Sequence, residues 1–209
     1  MRRSRGVIVT TTKTRSRKFK AILAGGIVLG VGAAVTLAAW TDDEWAEGVF
    51  GAGSFNVQGS TDGTAFDDHE SSDGAAALSF SLNGGDNMSP GDTVAAPFVL
   101  RLDGPTTYDA TVALTSAAGG GDNASALTYE IVQVASAGEC SATATGTSVV
   151  PAGTALDSTT GAADFDLSAG AGTATGDPVS LCFKVTAGDS LEQGQNTTAQ
   201  WQFTATSAD

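Results

Sequence analysis

Catalysis and metal binding need titratable or nucleophilic groups gathered in one place. The 209-residue sequence offers one such stretch, Asp67-Asp68-His69-Glu70 followed by Asp73. A zinc hydrolase of the His-Glu-x-x-His type sets two histidines four residues apart on one helix face, with the glutamate as general base. Here the fourth residue after His69 is Asp73, and His69 is the chain's only histidine. The Gly/Ser/Asp surroundings also disfavour a helix, so a metal-dependent hydrolase working through His69 and Glu70 is a disfavoured reading. Calcium, which takes roughly six to eight oxygen ligands, suits the stretch better. Asp62, Asp67, Asp68, Glu70 and Asp73 all lie in one loop, where they would serve a calcium-dependent adhesion module. No EF-hand spacing is present, so that reading rests on composition alone. Serine chemistry lacks a G-x-S-x-G elbow, and Gly30-Val31-Gly32 follows no strand, as a phosphate-binding loop would have to. The expectation is a protein without enzymatic activity and without a resident cofactor.

The elements that would position these residues are strands. Gly, Ser, Thr, Ala and Asp dominate from Gly51 onward while the usual exposed-helix formers are scarce, which argues against a helical bundle. Period-two alternation predicts short strands at Phe50–Gln58, Ala76–Leu82, Thr93–Leu102, Tyr108–Leu114, Leu127–Val134, Val179–Val185 and Ala199–Phe203. In Leu127–Val134 the phase slips after Ile131, as a bulge or a strand end buried on both sides would require. Turn signals separate the runs at Asn87–Asp92, with Pro90-Gly91 at the tip, at Asp103-Gly104-Pro105, and along Ala117–Ala124. The stretch from Ser136 to Pro178 alternates weakly apart from 148–150 and 165–167 and reads as a long excursion. The fold class predicted is all-β, an antiparallel jelly-roll or Ig-like β-sandwich, preceded by an N-terminal helical signal segment.

That segment divides the chain's charge. Eight of the ten Lys and Arg residues lie in the first twenty positions, followed by 19 uncharged residues from Ala21 to Ala39 and then by Asp42, Asp43 and Glu44. The bias keeps the N-terminus inside and sends the rest out. Leu37-Ala38-Ala39 before Trp40 reads as a signal-peptidase site; the alternative is an uncleaved anchor, since 19 apolar residues just span a bilayer, but Gly25, Gly26, Gly30 and Gly32 weaken such a helix and the small-residue end favours cleavage. Residues 1–39 are thus expected to be a cleaved signal peptide and residues 40–209 one secreted domain with an N-terminal extension over 40–50; the signal peptidase is the one partner needed during export. After cleavage between Ala39 and Trp40, only Arg101 and Lys184 face 23 acids, a net charge of −21. Such a surface repels nucleic acid and anionic lipid. An exported chain with two cysteines pairs them most simply as Cys140–Cys182. Closing that loop stabilises the fold by roughly 4 kcal/mol in the chain-entropy model. Cys182 alternates with Leu181 and Phe183 and so points away from the core, clamping the start of the excursion to the outer face.

The basic head, the run ending Leu37-Ala38-Ala39-Trp40-Thr41-Asp42, and Phe50-x-Ala52-Gly53-Ser54-Phe55-Asn56-Val57 together resemble exported proteins that depend on the alternate, eukaryotic-like signal peptidase. Within that group the chain is similar to the TasA/camelysin proteins and to the actinobacterial alternate signal-mediated exported proteins. Residues 18–63 carry most of the specificity, and Ser89-Pro90-Gly91-Asp92 before an apolar strand adds a second match. The resemblance implies a jelly roll, export to the cell surface or biofilm matrix, and, as in fibre-forming relatives, polymerisation by donating the N-terminal segment to the next subunit. The donor would be residues 40–57, with Trp40, Trp45, Phe50 and Phe55 as its apolar contacts and a homo-oligomer or fibre as the product. Camelysin relatives carry a metallopeptidase label, which the single histidine of this sequence does not match.

Overall fold

The computed structural model describes residues 53–80 and 87–208. The expected signal segment, the Ala39/Trp40 junction, the aromatic residues Trp40, Trp45 and Phe50, and Leu82 all lie outside the described residues.

Among the described residues, eight strands form two antiparallel sheets. They are β1 (Val57–Ser60), β2 (Thr93–Leu102), β3 (Ala110–Gly120), β4 (Leu127–Val134), β5 (Thr147–Ala155), β6 (Phe165–Leu167), β7 (Val179–Ala187) and β8 (Thr198–Ser207). One sheet has the order β1-β2-β7-β4-β5 and the other β6-β3-β8. The sheets bury their alternating apolar residues against each other, as a sandwich must. Leu102, Ile131, Val150, Leu167, Leu181 and Phe183 lie at the centre, all but fully buried. Phe183 anchors an aromatic layer, 4.9 Å from the Trp201 ring and 6.1 Å from Phe203, with Phe98 beyond at 6.5 Å.

Several strands differ in extent from the expectation. β3 runs on from Leu114 to Gly120 and so absorbs part of the expected Ala117–Ala124 loop, pairing there with β8. The excursion contains a full strand, β5, which the weak alternation concealed because Pro151 and Gly153 interrupt its pattern. The phase slip after Ile131 is real. Register against β5 breaks on both sides of Ile131, and Val132 is buried on the outer face while Ile131 is buried in the core. The expected strand at Ala76–Leu82 is not formed over its described part, since Ala76–Phe80 joins neither sheet.

The outer face of the five-stranded sheet carries a second, smaller cluster of Ala95, Val132, Ala144 and Cys182. The Cys140–Cys182 disulfide ties the excursion down over it. Beside it Lys184 is 7% exposed, and its ammonium pairs with Glu130 at 2.6 Å and donates to the Ala144 carbonyl at 2.8 Å. A buried cation needs such partners, and together they fix the excursion to β7.

Candidate functional site

The acidic loop does not assemble a metal site. The Asp62 carboxylate is consumed by its own turn: Oδ1 accepts from the Ser60 hydroxyl at 2.9 Å, Thr64 N–H at 2.7 Å and Ala65 N–H at 3.0 Å. These donors, the Ala65 and Thr64 amides foremost, hold its carboxyl well below the usual carboxylate range. The backbone of Asp67 pairs with Gly59 at the outer edge of β1, and the Asp68 carboxylate accepts from the Asn56 amide at 2.9 Å. His69 Nδ1–H donates to the Gly74 carbonyl at 3.1 Å. Asp73 sits in a short 3-10 turn, Ser72–Gly74, capped by the Ser71 hydroxyl. Among the described residues no three His, Cys, Asp or Glu side chains gather as a metal would require. Neither the calcium set of Asp62, Asp67, Asp68, Glu70 and Asp73 nor the His69–Glu70 hydrolase arrangement is therefore brought together. An extended, turn-rich backbone spreads neighbouring carboxylates, whereas a ligand set must converge.

What the loop does instead is frame an opening. β8 is an edge of the three-stranded sheet and β1 an edge of the five-stranded one. Between them the sandwich is left unsealed along a groove of about 460 Å³. Val57, Leu100, Val112, Phe183, Trp201 and Phe203 line its interior, and His69, Glu70, Ser72 and Gln200 stand among the residues around it. An apolar interior beneath a polar margin is the shape of a binding cleft.

The sheet edges are protected unequally. β1 is covered by the Gly59–Asp67 pair, at 2.9 and 3.0 Å. β5 is interrupted by Pro151 and by Gly153 at φ +81, and its Val149 carbonyl is taken by Ala163 N–H. β6 has only three residues. β8 runs for ten residues without a proline or a charge, and only β3 pairs with it among the described residues. Natural edges are commonly blunted by charges, prolines or brevity, and an edge with none of these is a template for strand addition. Searching the sequence for catalytic groups missed this surface, although a signal existed: no charged residue occurs between Glu192 and Asp209 in a chain this acidic.

Of the residues expected to mediate association, only Phe55 is described. It is 40% exposed, at the same end of the sandwich as Tyr108, which is 47% exposed. The chain enters there, with the Ser54 hydroxyl donating to the Pro105 carbonyl and Ser54 bridging to Thr106. Comparison with protein-family models and with curated proteins finds no match to this chain.

Proposed function

We propose that this chain is a secreted, non-enzymatic structural protein of the cell surface or extracellular matrix, exported through an alternate-type signal and self-associating by strand addition. The observation that supports it most directly is the unblunted β8 edge beside an apolar groove. That surface suits an extended segment carrying large apolar side chains, for which main-chain hydrogen bonds supply affinity and alternate side chains enter the groove. The segment from Trp40 to Phe50, beginning at the expected cleavage point, would as an extended strand carry Trp40 and Phe50 on one face and Trp45 on the other, with Asp42, Asp43, Glu44 and Glu47 between them. The aromatic residues are what it offers the groove, and its acids make the contact sensitive to pH and salt. The resemblance to the TasA/camelysin proteins favours the same reading.

Sedimentation of two chains tests it, one beginning at Trp40 and one at Gly53. The longer chain is expected to form oligomers at high concentration and acidic pH while the shorter stays monomeric. Two monomers under every condition would overturn the reading. Mass spectrometry of the native protein's N-terminus tests the export step, with Trp40 expected as the first residue.

A further inference from the structure

We infer that residues 75–80 are an exchangeable filler of the open seam, lodged beside β8 until another strand takes the place. The inference rests on the strand-addition reading only for the identity of the displacing strand.

The segment has the teeth of a strand without its ladder. It leaves the 3-10 turn in extended conformation, with Ala75 at φ −61, ψ 142. From there the side chains alternate: Ala76, Leu78 and Phe80 are half-buried, while Ala75, Ala77 and Ser79 are exposed. Leu78 and Phe80 pack on the main core. Leu78 lines the large groove. Phe80 reaches a smaller cavity of about 130 Å³, shared with Met88, Leu156, Thr197 and Trp201. Yet no backbone group of Ala76–Phe80 is hydrogen-bonded to a described residue.

Among the described residues, its hydrogen-bonded anchors are few and lie at one end. Gln200 Nε2–H donates to the Ser72 carbonyl at 3.2 Å, and His69 Nδ1–H donates to that of Gly74 at 3.1 Å. Further back, the paired Gly59–Asp67 bonds provide a fixed point from which the strap can swing. Segments with apolar contacts but few protected backbone bonds are those that open locally without global unfolding. A strand offering both the apolar teeth and a ladder to β8 makes everything the strap makes and the hydrogen bonds it lacks, so the exchange runs toward the newcomer.

Thiol labelling under native conditions tests this, with the Cys140–Cys182 disulfide kept oxidised. Single cysteines are introduced as Ala76→Cys and Leu78→Cys in the strap and, away from both cavities, as Val150→Cys in the core, in the full chain and again in the chain from Gly51. The Ala76→Cys variant, which removes no packing, guards against destabilisation by Leu78→Cys. The strap thiols are expected to react at least tenfold faster than the thiol at position 150 and with little denaturant dependence. A synthetic peptide of residues 40–58 is expected to accelerate them further without affecting position 150. Equal rates with equal denaturant dependence at all three positions would overturn the inference whatever the peptide does. Fast strap labelling that the peptide leaves unmoved would uphold the strap and overturn the strand-addition reading instead.

Discussion

At the scale of single residues, two ionisable groups connect the fold to pH. The Asp62 carboxylate is bound to the Ala65 and Thr64 amides and to the Ser60 hydroxyl, which depresses its folded-state pKa. A depressed acid contributes stability above its unfolded pKa of about 4 and loses it as pH falls toward the folded value. Asp62→Ala is therefore expected to lower the melting temperature at pH 7, and the gap to the native chain should narrow as pH falls below about 4; calorimetry across that range measures it. Tyr129 behaves in the opposite sense. Its ring is buried, its hydroxyl donates to the Ser158 carbonyl at 2.6 Å, and desolvation raises its pKa. The neutral form is the folded one, so its contribution is complete below the unfolded pKa of about 10 and is lost as pH rises beyond it. Tyr129→Phe is expected to cost about 1 kcal/mol at neutral pH, one hydrogen bond with its acceptor left unpaired. It should also flatten the expected alkaline fall in stability, which pH-jump unfolding of the two chains measures.

At the scale of elements, the excursion and β8 make separate predictions. The excursion lies on the outer face of β7 through a covalent bond, the Lys184–Glu130 pair and the Ala144 carbonyl. Replacing both cysteines, Cys140→Ser with Cys182→Ser, is expected to destabilise the domain by roughly 4 kcal/mol in denaturant titration, the loop-entropy value for so long a loop. For β8 the prediction concerns association. Gln202 is exposed in the middle of the edge strand, and Gln202→Glu changes little but its charge. Stability should move by no more than about 0.5 kcal/mol, as for other surface changes. Sedimentation should show assembly weakened, because an acidic edge repels an acidic incoming strand. Unchanged assembly would remove β8 as the acceptor.

At the scale of the whole molecule, charge governs whether copies can meet. With Arg101 stacked on Phe66 at 3.8 Å and Lys184 paired with Glu130, neither basic residue beyond residue 39 stands ready to offset 23 acids. Copies of a chain beginning at Trp40, with these two basic residues against 23 acids and so a net charge of −21, would repel until carboxylates are protonated or screened, and raising salt from about 0.01 to 0.15 M shortens the screening length from about 30 to 8 Å. Light scattering is thus expected to show assembly rising with ionic strength at neutral pH and persisting at low salt only near pH 4. Much of this architecture was legible in the sequence by itself. Alternation in Thr93–Leu102 and Val179–Val185 marked strands whose side chains fill the core, the turn at Ser89–Asp92 closes as Asp92 N–H bonds to the Ser89 carbonyl, and Cys140 pairs with Cys182 on the face that alternation assigned. These are local matters, because which side of a strand is buried is written into every second residue. Tertiary structure alone decided the rest. The five carboxylates of the Asp62–Asp73 loop do not converge, and among the described residues Ala76–Phe80 alternates like a strand yet joins no ladder, while β8 pairs along one edge alone. Alternation records the face a residue presents and says nothing of which edges find partners; edge pairing depends on segments far apart in the chain, and the geometry of the two sheets determines it.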